Sequence, residues 1–149
     1  MLQKFQSFLK CLILWFIGGI FYFDIELLWR GFSHWTMFAL GGICFVFAGV
    51  QSKRTMCPLW MQTLKVDAFS LIAEFITGCI INLKLGWNVW DYSVLPFNLL
   101  GQSCPQFALL FLPLCFGGII LNGHLRHLMF NEDKPQCLTS KQYIKELSH

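Results

Sequence analysis

The chain has 149 residues, of which 56% are hydrophobic and only 13% are charged, whereas about a quarter of the residues in an average soluble domain are charged. A soluble domain of this length cannot bury so much apolar surface, so the composition excludes that class and predicts an integral membrane protein. The net charge of +3 comes without a cluster of Lys and Arg interleaved with aromatic residues, which excludes nucleic acid as a partner.

Four apolar segments follow one another along the chain and predict an all-α, polytopic membrane protein, a bundle of about four transmembrane helices. They run from about Phe8 to Trp29, Trp35 to Val50, Val66 to Leu85 and Pro105 to Asn122. A helix needs about 20 residues to cross the hydrocarbon core, so we expect the second segment to include interfacial residues at both of its ends. The lipid bilayer is therefore the first predicted partner.

Helix-breaking residues mark the three connections between these segments. Gly31 lies in a tight first link, the stretch 51–62 with Pro58 forms the second, and the stretch 86–102 forms the third. The third loop is rich in aromatic and amide side chains, so we expect it to be ordered. A re-entrant path into the bilayer is one alternative for this loop, provided that protein or water satisfies its backbone.

The basic residues predict which side of the membrane each connection faces. With four spans, both termini and the second loop share one side, and the other side carries Arg30 and Lys84. The positive-inside rule therefore predicts a multi-pass protein of the cell membrane with cytoplasmic N- and C-termini. The basic residues on the predicted cytoplasmic side are Lys4, Lys10, Lys53, Arg54, Lys65, Arg126, Lys134, Lys141 and Lys145.

The change of composition after Phe130 divides the chain into two regions. Residues 1–130 form the predicted transmembrane helical domain, and residues 131–149 form a polar cytoplasmic tail. Tryptophan prefers the membrane interface, so the residues predicted to form an aromatic belt at the outer interface are Trp29, Trp35, Trp87 and Trp90.

Small side chains within the spans predict close helix packing. Glycine pairs at 18–19, 41–42 and 117–118 allow helices to approach one another. The seven cysteines include no C-x-x-C pair and fall largely within apolar spans, where cysteine behaves as a small hydrophobic residue. Neither a disulfide framework nor a zinc site is expected.

Ionisable residues within or beside the spans are the candidates for function, because a charge at the centre of a membrane helix costs about 2.5–3.5 kcal/mol. Glu26 and Arg30 are four residues apart, which places them on one face of the first helix. One interpretation is an ion pair that lets a charged helix end enter the interface. The other is a binding role, in which Arg30 offers its planar donors to an anionic group and Glu26 orients it.

Glu74 lies near the middle of the third span. Asp67, Gly78 and Asn82 share its helix face, and such a stripe of polar or small residues is predicted to face protein or water rather than lipid. Glu74 is interpreted either as a structural hydrogen-bonding group between helices or as a proton or cation site, and we favour the second interpretation.

The start of the second span and the third loop add polar groups on the same predicted side. His34 lies close in sequence to Arg30, and histidine side chains can take part in acid–base chemistry. A metal site built from His34 and the acidic residues of this set lacks a recognisable ligand spacing, so neither a metal nor a cofactor is predicted. The predicted substrate-binding residues are Glu26, Arg30, His34, Glu74, Asn82, Asp91, Asn98 and Gln102.

Three motifs form a specific combination, although each is weak alone. They are Glu26-x-x-x-Arg30-Gly31-x-x-His34-Trp35-x-Met37-Phe38-x-Leu40-Gly41-Gly42, Glu74-Phe75-x-Thr77-Gly78-x-x-x-Asn82 and Trp90-Asp91-Tyr92-Ser93-x-x-Pro96-x-Asn98-x-x-Gly101-Gln102. Over most of Glu26 to about Phe107 this combination resembles a bacterial family of small membrane proteins, the CmpB-like putative type IV ABC-transporter permeases. The resemblance implies a transport-type membrane protein.

The predicted function is a transporter or permease component with a polar site in the outer half of the bundle. Two alternatives stay open: a membrane-embedded enzyme acting on a lipid or lipid-linked group, with Glu74 or His34 as the base, and a structural or assembly membrane protein. The sequence has no G-x-x-x-x-G-K-[ST] motif, so ATP coupling requires a separate ATPase subunit. Four helices make a thin pathway, so a homo-oligomer or a partner subunit is also expected.

Overall fold

The computed structural model describes residues 2–54 and 57–133, and these residues form a bundle of four α-helices. Their bounds are Leu2–Arg30 for α1, Trp35–Ser52 for α2, Leu59–Gly78 for α3 and Pro105–Phe130 for α4. A π-helical segment, Cys79–Lys84, continues α3. The four helices, with α3 taken together with its π-helical segment, are long and apolar enough to cross a membrane. The predicted all-α membrane bundle is confirmed.

α3 begins about two turns earlier than the sequence predicts. It starts at Leu59, directly after Pro58, rather than at Val66. The polar residue Gln62 suggests a loop, but its amide is buried and donates to the Cys57 carbonyl oxygen at 2.6 Å. A satisfied polar side chain can be buried in the first turns of a helix, so the second loop is shorter than predicted.

α4 continues beyond Asn122, where the predicted span ends, as far as Phe130. Asn122 is fully buried, and its amide donates to the Phe45 carbonyl oxygen of α2 at 2.8 Å. Its side-chain oxygen accepts from Arg126 Nε at 2.8 Å. These polar residues join two helices inside the bundle, which is why the helix does not end where the apolar run ends.

α2 is the central helix and packs against the other three. Its contact with α1 is the most extensive, because glycines on each helix leave room for the other. A Cβ at Gly42 would lie 2.5 Å from the Trp15 carbonyl oxygen, and a Cβ at Gly19 would lie 2.7 Å from the Phe38 carbonyl oxygen. The packing role predicted for these two glycine pairs is confirmed.

The third pair, Gly117-Gly118 in α4, does not pack in this way, and the prediction is wrong for it. A Cβ at Gly117 would have no neighbour among the described residues within 4 Å, and a Cβ at Gly118 would meet Phe45 at 4.0 Å. α4 packs against α2 and α3 but has little contact with α1. The two glycines therefore border an open gap between α1 and α4.

One carboxylate joins three helices at the end of the bundle where α1 begins and α4 ends, here called the Lys10 end. Glu132 accepts from Lys10 Nζ at 3.1 Å, and Lys53 Nζ lies 3.0 Å from its other oxygen. The Arg126 guanidinium lies 3.5 Å from that same oxygen. The predicted polar tail continues past this cluster, and residues 134–149 lie outside the described residues.

Candidate functional site

At the opposite end of the bundle, here called the Arg30 end, Glu26 is the centre of a hydrogen-bond network. Arg30 Nη2 donates to Glu26 Oε1 at 2.6 Å, and the Ser33 hydroxyl donates to Glu26 Oε2 at 2.5 Å. Arg30 Nη1 also donates to the Val89 carbonyl oxygen at 3.3 Å. Both oxygens of Glu26 are thus satisfied, and the predicted ion pair ties α1 to the third loop.

Glu74 lies in the interior of the bundle, with 1% of its surface exposed. Its Oε1 accepts from the Tyr92 hydroxyl at 3.0 Å, whereas Oε2 is buried without a hydrogen-bond partner among the described residues. Asp67, Gly78 and Asn82 on the same helix face are buried too, which confirms the predicted orientation of this stripe. One carboxylate oxygen in the centre of the bundle is therefore free to bind something else.

Tyr92 reaches Glu74 from the third loop, and its ring is stacked on Phe107 of α4 with the centroids 4.4 Å apart. Burial and then the neighbouring charge of Glu74 raise the pKa of Tyr92. The phenol consequently keeps its proton at neutral pH and acts as the donor in this hydrogen bond. The third loop thus supplies a fixed partner for one of the two oxygens of Glu74.

The Asn82 side chain fastens the third loop to the end of α3. Its Nδ2 donates to the Trp90 carbonyl oxygen at 3.0 Å and to Gln102 Oε1 at 2.7 Å. Its Oδ1 accepts from the Val89 backbone N–H at 2.7 Å. Three buried hydrogen bonds converge on a single amide, which gives Asn82 and Gln102 a direct role in positioning the loop.

Three of the four tryptophans of the predicted aromatic belt have exposed side chains, and their place at the outer interface stays a prediction. Trp29, Trp35 and Trp87 are exposed at the Arg30 end, whereas Trp90 is only 4% exposed, so including Trp90 in the belt is wrong. Its indole N–H donates to the Gln102 carbonyl oxygen at 3.1 Å. With its one polar atom satisfied inside the protein, Trp90 serves as a core residue of the loop.

Asp91 and Asn98 form the turns of the third loop through local hydrogen bonds. Asp91 Oδ1 accepts from the Ser93 backbone N–H at 2.8 Å. Asn98 Nδ2 donates to the Leu95 carbonyl oxygen at 2.7 Å, and Asn98 Oδ1 accepts from the Gly101 N–H at 2.9 Å. These side chains fold the loop on itself, as expected for Asp and Asn at turns.

His34 caps the start of α2. Its Nδ1 accepts from the Thr36 backbone N–H at 3.4 Å and lies 2.9 Å from the Thr36 hydroxyl. The ring lies beside Trp35 and Trp87, with centroids 5.6 and 5.7 Å away. Within residues 2–54 and 57–133, no hydrogen bond connects His34 with the Glu26–Arg30 pair.

A groove runs along the gap between α1 and α4, and α2 and α3 form the floor of its part nearer the Lys10 end. It consists of two adjoining cavities of about 320 and 380 Å³, each within the range of about 300–1,000 Å³ that is typical of small-molecule sites. We call it the lateral groove. The residues that line both cavities, and so make the groove continuous, are Tyr22, Ile25, Phe111, Pro113 and Leu114.

The lateral groove is mainly apolar and brings together three of the predicted site residues. Glu74 lies on the lining of the cavity nearer the Lys10 end, and Glu26 and Arg30 line the cavity nearer the Arg30 end. In the part of the chain that is described, no group of three or more His, Cys, Asp or Glu residues could hold a metal ion. The predicted site residues that do not line the groove are His34, Asn82, Asp91, Asn98 and Gln102.

Two residues that hydrogen-bond to the site residues, Ser33 and Tyr92, are not predicted from the sequence. Ser33 follows Glu26 by seven residues, a spacing of two helical turns, but Gly31 breaks the helix between them and hides this signal. Tyr92 lies within a recognised motif, yet its contact with Glu74 depends on how the loop folds over α3. The groove itself depends on α1 and α4 staying apart, which hydropathy does not encode.

Most of the chain matches the model of a known protein family. A family model described as "Putative ABC-transporter type IV" matches residues 8–131. This region contains the lateral groove, the third loop and all eight predicted site residues. No curated protein and no solved structure matches the chain.

Proposed function

Because the chain belongs to the family of putative type IV ABC transporters, whose model matches residues 8–131, we propose that it is the membrane component of a transport system and binds its substrate in the lateral groove. In this proposal the Glu74 carboxyl group binds a proton or a cationic group. The family match and the four apolar helices support the transport role, and the surroundings of Glu74 support the position of the site.

The observation that carries the assignment is Oε2 of Glu74, which is buried on the lining of the groove and has no hydrogen-bond partner within residues 2–54 and 57–133. An unpaired buried acceptor costs on the order of 1–3 kcal/mol, and more when it is charged. A side chain that only stabilised the bundle would pack more favourably if it were apolar. Binding of a proton or cation explains why a carboxyl group occupies this position.

We assign different roles to the eight predicted site residues. Glu26 and Arg30, which line the cavity nearer the Arg30 end, contact the substrate together with Glu74. Asn82 and Gln102 hold the third loop against α3, and the loop in turn supplies Tyr92 to Glu74. His34, Asp91 and Asn98 complete the supporting set by fixing the start of α2 and the turns of the loop.

The energy source in this proposal is a separate ATPase subunit, because the chain lacks a P-loop motif. The basic residues concentrated at the Lys10 end favour a cytoplasmic location for that end, where the ATPase would bind. The cavity lined by Glu26 and Arg30 would then open in the outer half of the membrane. A second copy or another subunit completes the pathway, since four helices make a thin pathway on their own.

The test is to remove one carboxylate from the groove while the native transport system stays intact. Glu74→Gln keeps the size of the side chain and removes its charge, and Asp24→Asn makes the matched change at an exposed position of α1. Each variant replaces the chromosomal copy in the native host, and membrane vesicles are screened for ATP-dependent uptake of labelled solutes.

For any solute whose uptake depends on this gene, Glu74→Gln should lower the initial rate about tenfold or more, the effect of losing one strong charge-assisted contact. Asp24→Asn should leave the rate unchanged. Normal uptake by a well-folded Glu74→Gln protein would refute the proposed site, and an absence of any gene-dependent uptake would refute the transport role.

A further inference from the structure

We propose that the substrate class of the lateral groove is hydrophobic cations that enter sideways from the bilayer. This inference rests on the proposed function and adds the chemical nature of the substrate and its direction of entry. Three features lead to it: the open side of the groove, the apolar character of its walls and the sign of the charge at its floor.

Because α1 and α4 both span the membrane in the proposed function, the open side of the groove between them faces the hydrocarbon core rather than water. α1 and α4 have little contact along their length, and Gly117 and Gly118 present no side chains to the space between them. Phe21 and Leu114, which line the groove, are partly exposed at its edge. A molecule dissolved in the bilayer can therefore reach the floor without crossing a ring of polar residues.

The walls of the groove suit an apolar body. In the cavity nearer the Lys10 end, most of the lining comes from aliphatic, aromatic and glycine residues, and the acidic side chain among them is Glu74. In the cavity nearer the Arg30 end, Phe107 and Tyr92 present stacked rings, and aromatic faces attract cations when water is excluded. A hydrophilic solute would lose its hydration along this surface without compensation.

The charge at the floor selects a cation. The groove contains two carboxyl groups and one guanidinium, and Arg30 is already paired with Glu26 at 2.6 Å. Arg30 Nε is buried and has no hydrogen-bond partner in the described part of the chain, so it offers a hydrogen bond but no unmatched positive charge. The remaining carboxyl group, Glu74, has a free oxygen. A cation resting against Glu74 would complete the neutralisation of the groove, whereas an anion would add a second unmatched charge.

Tetraphenylphosphonium and tetraphenylborate are suitable probes because they share size and shape and differ in the sign of their charge. Binding of each labelled ion to the purified full chain is measured separately by equilibrium dialysis in maltoside micelles, with protein-free micelles as background. Two variants act on the groove in different ways. Glu74→Gln removes the charge, and Gly118→Leu fills the space next to Phe45, where a Cβ meets its nearest atom at 4.0 Å.

The wild-type chain should bind the phosphonium ion at least about tenfold more tightly than the borate, and each groove variant should weaken phosphonium binding about tenfold. The control is Leu109→Phe, which adds bulk on the same helix at a residue that is 70% exposed and outside the lining. It should bind like the wild type. Size-exclusion profiles and helical content establish that each variant is folded.

Equal binding of both ions, or phosphonium binding that survives Glu74→Gln and Gly118→Leu, overturns the inference. It is also overturned if native mass spectrometry shows that a phospholipid or a second copy of the chain fills the groove and is displaced by Gly118→Leu but not by the phosphonium ion. In either case, gene-dependent uptake that still requires Glu74 would leave the proposed function intact, so the two failures are distinguishable.

Discussion

The two oxygens of Glu74 have different environments, and this asymmetry is the central feature of the protein at the scale of single residues. One oxygen is fixed by the Tyr92 hydroxyl at 3.0 Å, and the other is buried with no hydrogen-bond partner among the residues that the structure describes. The hydrogen bond from Tyr92 holds the carboxyl group in a single orientation, so that the free oxygen points to one place. A carboxyl group that is already oriented loses less conformational freedom when it binds a proton or a cation.

Substitution of Tyr92→Phe should lower the stability of the bundle. The phenyl ring can keep its stacking on Phe107, but the donor to Glu74 is lost and both carboxylate oxygens become unpartnered. We expect the free energy of unfolding to fall by about 1–3 kcal/mol, measured by thermal or denaturant unfolding in micelles. The same substitution in a Glu74→Leu background should cost much less, and an equal cost in both backgrounds would show that the hydrogen bond is not responsible.

At the scale of elements, the third loop is held by the π-helical segment that follows α3. The segment places Asn82 where its amide reaches Val89, Trp90 and Gln102 in the loop. Gly78 allows the approach, since a Cβ there would lie 2.6 Å from Gln102 Oε1. A π-helical turn changes the direction of the side chains that follow it, and such turns are frequent at functional sites. Here the π-helical segment at the end of α3 holds the third loop in place.

Asn82→Asp should loosen this loop while the helices stay intact. A carboxylate of the same size cannot donate, so it would face the Trp90 carbonyl and Gln102 Oε1 without a hydrogen bond to either. Hydrogen–deuterium exchange over residues 86–103 should become faster, and exchange in α2 should not change. Gln106→Glu is the control, because its amide donates to the Pro96 carbonyl at an exposed position. Equal protection in Asn82→Asp and the wild type would contradict the anchoring role.

For the whole molecule, the two ends of the bundle are held by different means. The Arg30 end depends on the loop, whereas at the Lys10 end the single carboxylate of Glu132 lies against cations from three helices. Burial acts to raise the pKa of Glu132, but hydrogen bonds from Lys53 and Lys10 and the charges of Lys53 and Arg126 outweigh it and lower the pKa below its ordinary value of 4.5. The cluster joins the helices at the end of the bundle opposite the third loop.

The lowered pKa of Glu132 predicts how stability depends on pH. A group with a depressed folded pKa contributes stability that is present above its unfolded pKa and is lost as pH falls through the folded value. The melting temperature of the wild type should therefore fall more steeply than that of Glu132→Gln when the pH is lowered through and below 4.5. Asp133→Asn, which changes the adjacent exposed carboxylate, should follow the wild type. Parallel curves for the wild type and Glu132→Gln would contradict this role of the cluster.

Periodicity and hydropathy were sufficient to predict the helical bundle, the Glu26–Arg30 pair and the inward orientation of Glu74, because each depends on spacing along a single helix. They failed where a polar group is satisfied by a distant part of the chain. Gln62 and Asn122 suggested helix ends, although their amides bond to buried carbonyl groups. The lateral groove is not predictable from the sequence for a related reason. It forms where α1 and α4 do not pack against each other, and no local sequence pattern indicates such a gap.

The decisive measurement is whether Glu74 can be reached from the bilayer through the groove. Dicyclohexylcarbodiimide is a hydrophobic reagent that adds to carboxyl groups in apolar surroundings, and mass spectrometry of peptides locates the adduct. We predict that Glu74 is labelled in membranes, that tetraphenylphosphonium protects it, and that Gly118→Leu slows the labelling while Leu109→Phe does not. Labelling of Glu74 that neither the phosphonium ion nor Gly118→Leu affects, or an unlabelled Glu74, would contradict the account.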